Sequence, residues 1–201
     1  MKTITNYFIL FMICVCIIGG IYSTIAKSIN SANNHKYDII TNEIEMIYNS
    51  LDNEIAAVIG KKTQMSSKVI LDLCIKYKFD ITLLLAQAKV ESCYGTKGRA
   101  LKTKSVFGVG AYDNGVNRYY YKDVNDSIEP YIILVKNDYL RNKSVDELLN
   151  HYVNYKGERY ASNKRYEKIV TKVRNRILST TNIYNLQNEL IKKQEELHGI
   201  N

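Results

Sequence analysis

Apolar residues along the chain fall into blocks with different periods. From Tyr7 to Tyr22 (YFILFMICVCIIGGIY) they run almost without interruption, and no residue between Lys2 and Lys27 is charged. Residues 4–26 are long enough to cross a bilayer as a helix rising about 1.5 Å per residue. Two readings of residues 1–26 stand. One is an uncleaved membrane anchor. The other is a secretory signal peptide, with Lys2 as its basic end and Thr24-Ile25-Ala26 as a poor cleavage site. The length of the run and the bulk of Tyr22 and Ile25 favour the anchor. Residues 27–37 (KSINSANNHKY) then read as a polar linker.

Three- and four-residue spacing begins at residue 38. Ile40, Ile44, Ile47, Leu51, Ile55 and Val58 form one stripe of an amphipathic helix over 38–59, stopped by Gly60. Residues 27–61 are thus a linker and an amphipathic helix. A second helix is expected from Ser66 to Tyr77, with Ser66 or Ser67 as N-cap. A third, ITLLLAQAKVES, is capped by Asp80 and ends before Gly95. From Lys97 to Lys122 the period breaks: glycines cluster, Asp113-Asn114-Gly115 is a turn signal, and Arg118 to Lys122 is tyrosine-rich. This predicts loops and a small β-hairpin. Helical spacing returns from Ser127 to Leu140, with Pro130 in the first turn, where its missing N–H is tolerated. Further helices are expected at about 144–153 and 162–178, and an amphipathic appendage at 183–197. The prediction is a mainly α (α+β) domain over 62–180 with a small β-hairpin lobe, followed by a helical tail over 181–201.

Composition refines this picture in a few places. At 46% hydrophobic and 24% charged, the 201-residue chain can bury a core and is not disordered throughout; a single proline excludes Pro-rich architecture. The formal net charge is +8, and it is uneven. Residues 61–180 hold 23 Lys/Arg and 12 Asp/Glu, a balance of +11, whereas the remainder is at −3. A polyanionic neighbour follows: nucleic acid, anionic lipid or a charged wall polymer. No nucleic-acid recognition motif is present, so specific nucleic-acid binding is not expected. The three histidines are scattered and no HExxH, Cys/His or phosphate-loop spacing occurs; neither a metal nor an organic cofactor is implied. Four cysteines do not make a disulfide framework.

One acid carries candidate chemistry. Glu91 ends a strongly apolar helix, just before Ser92-Cys93-Tyr94-Gly95. At the mouth of a cleft it would be partly desolvated, its pKa raised, and its proton available to a leaving group. The alternative is a solvated glutamate at a helix C-terminus, an unfavourable place for a carboxylate.

Four segments in order extend this reading: Ala86-Gln87 with Glu91-Ser92 and Gly95; Ser105-Val106-Phe107-Gly108; Ser127-Ile128-Glu129 with Tyr131; and Tyr160-Ala161-Ser162 with Tyr166, Lys168 and Ile169. Over roughly residues 66–178 the chain resembles the glucosaminidase domain of bacteria and phages, glycoside hydrolase family 73. It departs from that family in having Tyr94 where tryptophan is usual, Ser105 in place of asparagine, and a short hairpin lobe. The resemblance implies a lysozyme-like fold and a peptidoglycan hydrolase that cleaves the β-1,4 bond after N-acetylglucosamine. Glu91 would be the general acid. Asp113 would be the second carboxylate, although Asp-Asn-Gly is also what a tight turn uses. Tyr160 would orient the acetamide or stabilise developing charge. Gln87, Tyr94, Phe107, Gly108, Tyr112, Tyr120 and Tyr166 would contact the sugar. The partner would be peptidoglycan glycan strands, with the domain held outside the membrane by the N-terminal segment or secreted to the cell wall. Rival readings are a lytic transglycosylase on the same fold, a non-catalytic wall-binding or virion module, and a nucleic-acid-binding domain.

Overall fold

The computed structural model describes residues 31, 34–109 and 120–199. Among these residues every regular element is helical and no strand forms, in keeping with a mainly α expectation. The first amphipathic block is helix α1, residues 34–59. Its buried stripe is Ile40, Ile47, Leu51, Ile55 and Ile59, one helix face, with Ile44 and Val58 half-buried at its margin. The Gly60 N–H returns to the Ala56 carbonyl at 3.0 Å and ends the helix.

The chain divides into two compact units: a larger one, Met46–Ile191, and a smaller one of residues up to Glu45 with Lys192–Asn201. In the smaller unit Lys193 pairs with Glu43 at 2.5 Å and Lys36 with Glu196 at 3.5 Å. These pairs set the start of α1 beside the end of the last helix, α8 (Ile183–His198). Exposed pairs of this kind contribute little individually.

The larger unit is built around two helices. Helix α2 (Ser67–Tyr77) is capped by the Ser66 side chain, which accepts from the Val69 N–H. Helix α3 (Ile81–Ser92) is capped by Asp80, which accepts from the Leu83 N–H. From Ile81 to Ala88 every α3 residue is buried. A helix apolar on all sides belongs at the centre of a fold rather than on its surface. Its main neighbour is α7 (Tyr166–Thr180), which buries Tyr166, Val170, Arg174 and Ile177 at spacings of four, four and three. The short α6 (Val145–Asn150) packs on α7 and α5 (Ile128–Leu134) on α2, and a further short helix is α4 (Ala100–Thr103). Ser144 and Glu147 form a capping box at the start of α6. The stretch expected as one helix to Leu140 changes period on the way: α5 gives way to a π-helical turn, Val135–Leu140. The first half of α8 belongs to this unit too. Gln187 donates to the Phe79 carbonyl at 2.7 Å and accepts from the Ile81 N–H at 3.1 Å, stitching α8 to the turn between α2 and α3.

The expected hairpin between Lys97 and Lys122 is not found among the described residues. Lys97–Lys104 contains Ala100, Leu101 and lysines, good helix formers with no two-residue alternation, and it folds as turns and α4. The Asp113-Asn114-Gly115 turn lies in 110–119, outside the described residues. β-like pairing occurs instead in the turn 152–160. There Val153 and Arg159 form an antiparallel bridge, and the Asn154 N–H donates to the Glu158 carbonyl at 2.8 Å. The apolar N-terminal segment also lies outside the described residues; among those described, no helix is long and apolar enough to cross a membrane.

Candidate active site

Glu91 stands on the last turn of α3, and the chain leaves that helix abruptly. Cys93, Tyr94 and Gly95 all take left-handed φ, 51°, 62° and 79°. The Cys93 N–H bonds the Lys89 carbonyl at 3.0 Å and the Tyr94 N–H bonds the Ala88 carbonyl at 2.9 Å, satisfying carbonyls that the helix end would leave open. Glycine suits position 95 for two reasons. Its φ is positive, and a Cβ there would touch Val106 Cγ2 at 3.4 Å and Val124 Cγ1 at 3.5 Å. This tight exit lets the loop 105–109 come close to the helix end. That loop is held by Ser105 Oγ donating to the Val109 carbonyl and by the Val106 N–H donating to Ser127 Oγ.

The two carboxylate oxygens of Glu91 meet different surroundings. Oε1 accepts a 2.6 Å hydrogen bond from the Tyr166 hydroxyl, at the first residue of α7. Oε2 is turned towards Gly108: a Cβ at that exposed glycine would meet Oε2, at 3.9 Å, as its one described neighbour within 4 Å. Gln87, one turn before Glu91, is fully buried and satisfied by tyrosines. Its Nε2 donates to the Tyr166 oxygen at 2.8 Å, and its Oε1 accepts from the Tyr152 hydroxyl at 2.7 Å and from the Tyr131 hydroxyl. Tyr139, Tyr152, Tyr160 and Tyr166 form a continuous ring cluster with centroid separations of 5.3 to 5.7 Å. Tyr131 stacks on Phe107 at 3.8 Å. The Tyr160 hydroxyl donates to the Phe107 carbonyl at 2.9 Å, tying the loop of Gly108 to this cluster.

The electrostatics follow from burial. Desolvation holds the Glu91 carboxyl above the usual carboxylate range, against the Tyr166 hydrogen bond, which pulls it down. Burial also pushes the hydroxyls of Tyr152, Tyr160 and Tyr166 well above the usual range, reinforced by Glu91 and by one another, so they remain neutral donors. Cys93 is different. Desolvation pushes its thiol up, but hydrogen bonds from Thr96 and Lys89 and the charges of Lys89 and Lys97 outweigh it, and the thiol lies below its usual range. Lys89 Nζ is 3.4 Å from Cys93 Sγ. Cys74 and Cys93 are both free, and Cys74 is buried.

The expected site residues therefore divide. Gln87, Phe107, Tyr160 and Tyr166 converge on Glu91 and its loop, but Gln87, Phe107 and Tyr166 are buried, so they brace the acid instead of offering a face to a sugar. Tyr94 is buried as well. Its carbonyl accepts from Thr63 Oγ1 at 2.6 Å, and burial pushes its hydroxyl up to about 12. Gly108 and Tyr120 are exposed, Tyr120 to 69%. Asp113 and Tyr112 lie outside the described residues. Sequence reading assigned no role in the site to Tyr131, Tyr139 or Tyr152. Tyr131 stands inside a recognisable segment, but Tyr152 sits in an irregular turn, where no period marks it as inward-facing. Lys61, Lys62, Lys97, Arg99, Lys102 and Lys122 are exposed on neighbouring segments, joined by the Thr63–Tyr94, Lys104–Gln64 and Tyr121–Thr103 hydrogen bonds. None of the six forms an ion pair with a described residue. Among the described residues, no group of three or more His, Cys, Asp or Glu is gathered that could hold a metal ion.

No protein-family model matches the chain, and no curated protein matches it.

Proposed function

We propose that the chain is a peptidoglycan hydrolase with a lysozyme-like helical domain that cleaves the β-1,4 bond after N-acetylglucosamine. The observation that carries this reading is the asymmetry of Glu91: a desolvated carboxyl, one oxygen tied to Tyr166 and the other beside the exposed Gly108. A carboxyl held above its usual range keeps its proton to a higher pH than an ordinary glutamate does, as a general acid requires. In the reaction Glu91 gives that proton to the bridging oxygen. The C1–O bond breaks with its electron pair on the departing oxygen, water supplies hydroxide to C1, and the water's remaining proton passes to a carboxylate. Asp113 is the proposed second carboxylate. Tyr160 acts by fixing the loop of Gly108. Glycan strands bearing acidic peptides and anionic wall polymers suit the exposed lysines around Tyr94 and Thr103. The N-terminal segment would hold this domain at the outer face of the membrane or direct it to the wall.

A second reading has an observation in its favour. Among the described residues no second carboxylate joins the Glu91 cluster, and a lytic transglycosylase needs only one. Digestion of purified peptidoglycan by the full chain, with mass analysis of the released ends, separates the two. Reducing N-acetylglucosamine ends support the hydrolase, and anhydro-muramic ends support the transglycosylase. No release by the wild type, or unchanged release by Glu91→Gln, overturns both.

A further inference from the structure

We infer that Gln87 is a positioning residue that fixes on which oxygen of Glu91 the acidic proton resides. The inference rests on the reading of Glu91 as the acid and adds the device that aims it. Each hydroxyl has one hydrogen to donate, and the amide has a fixed polarity: Oε1 only accepts and Nε2 only donates. Gln87 Oε1 is occupied by the hydroxyls of Tyr131 and Tyr152. Its Nε2 therefore points at Tyr166 and donates to that oxygen at 2.8 Å. With its oxygen accepting a hydrogen bond from Gln87, Tyr166 directs its own hydrogen to Glu91 Oε1 at 2.6 Å. Oε1 is thereby an acceptor, and the carboxylic proton is left to Oε2, the oxygen beside Gly108. The chain of polarity runs from Tyr131 and Tyr152 through Gln87 and Tyr166 to Glu91. Tyr131, Tyr152, Gln87 and Tyr166 are buried and Glu91 is half-buried, so a misdirected or unsatisfied member before Glu91 would have no water to turn to. Without the amide, Tyr166 can turn its hydrogen towards other acceptors, and Oε1 loses the bond that makes it distinct from Oε2.

The titratable groups facing Glu91 from the packed elements are Tyr152 and Tyr160 of the 152–160 turn and Tyr166 of α7. All are held as neutral hydroxyls, so a change in the Glu91 titration reports hydrogen-bond direction and not a new charge.

The test is the titration of the Glu91 side-chain carboxyl, followed by carbon-13 NMR in the full chain for wild type, Gln87→Met, Gln87→Glu and Tyr166→Phe. Gln87→Met and Tyr166→Phe both shift the Glu91 midpoint upward, because the bond that lowers it is weakened or gone. Gln87→Glu, while its own buried carboxyl is protonated, keeps one acceptor and one donor in place and titrates like the wild type. The alkaline limb of peptidoglycan release moves with the NMR midpoint, and kcat of Gln87→Met falls about tenfold to a hundredfold. A folded Gln87→Met with an unmoved Glu91 midpoint overturns the inference. Should Gln87→Met fail to fold, the wild-type Tyr166 hydroxyl proton gives the same decision: its chemical shift follows the Glu91 titration, and a shift that stays constant overturns the inference. Failure of the hydrolase reading is separate, since wild type would then release no glycan ends while the NMR coupling between Gln87 and Glu91 persisted.

Discussion

Removing the Asp80 side chain should destabilise the larger unit far more than removing Asp146, although both carboxylates pair with the same arginine. Arg174 is 7% exposed in the middle of α7. Its Nη2 is 3.0 Å from Asp80 Oδ2, its Nη1 2.8 Å from Asp146 Oδ1, and its Nε donates to Thr82 Oγ1 at 3.0 Å. Asp80 also accepts from the Leu83 N–H at 2.9 Å, so one side chain both caps α3 and neutralises a buried cation of α7. Asp80→Ala loses the cap, about 1 kcal/mol, and leaves the guanidinium without its buried partner, a defect of about 3–5 kcal/mol when uncompensated. Asp146 is 83% exposed in its side chain, offers partial compensation, and holds the total to about 3–5 kcal/mol. Asp146→Ala removes only a solvated partner and costs about 0–1 kcal/mol. At about 3 °C per kcal/mol for a unit of this size, Asp80→Ala lowers the Tm by roughly 10–15 °C and Asp146→Ala by less than about 3 °C. Urea unfolding at pH 7 checks the same ordering by midpoint at constant slope. Combining Asp80→Ala with Arg174→Met should recover much of the loss, because the stranded charge is gone. Equal effects of the two aspartate substitutions, within about 0.5 kcal/mol, would refute the view that Arg174 is desolvated. The consequence reaches the site, since α3 carries Glu91 and α7 carries Tyr166, and this pair sets how they lie against each other.

Three further outcomes are expected. Glu91→Gln lowers peptidoglycan release by about a thousandfold. It also raises the Tm near neutrality: the folded carboxyl sits above its unfolded pKa, so its contribution is fully present in acid and is lost as pH rises through the folded pKa. The gain over wild type therefore vanishes at low pH and grows upward, and a gain that is constant with pH would refute the desolvation of Glu91. Tyr160→Phe removes the 2.9 Å bond to the Phe107 carbonyl, costs about 1 kcal/mol in urea unfolding, and lowers kcat by loosening Gly108; unchanged kcat would remove Tyr160 from the site. Iodoacetamide at pH 7, followed by peptide mass mapping, labels Cys93 well ahead of Cys74, and Lys89→Gln slows that labelling; labelling that ignores Lys89 would show that the lysine does not activate the thiol.

Helix positions and ends could be read from the sequence because their causes are local. The stripe Ile47–Leu51–Ile55, the Ser66 and Asp80 caps and the stop at Gly60 each depend on residues within a few positions. The prominence of Glu91 was legible for the same reason: an acid ending an apolar helix is visible in a dozen residues. The short helix α4 within the stretch expected as loops and a hairpin was not, since glycines and turn residues flank both loops and short helices. What surrounds Glu91 could be decided only by the tertiary structure. Tyr166 lies 75 positions away, Tyr131 comes from α5, and Tyr152 and Tyr160 come from the 152–160 turn. Tyrosine is abundant throughout the chain, and nothing local distinguishes a ring that binds sugar from one that is packed inside. Packing α7 along α3 made that distinction. It withdrew Gln87, Phe107 and Tyr166 from solvent, left Gly108 open, and turned one oxygen of Glu91 inward and the other towards the exposed loop, because a buried amide and hydroxyl must each find a partner.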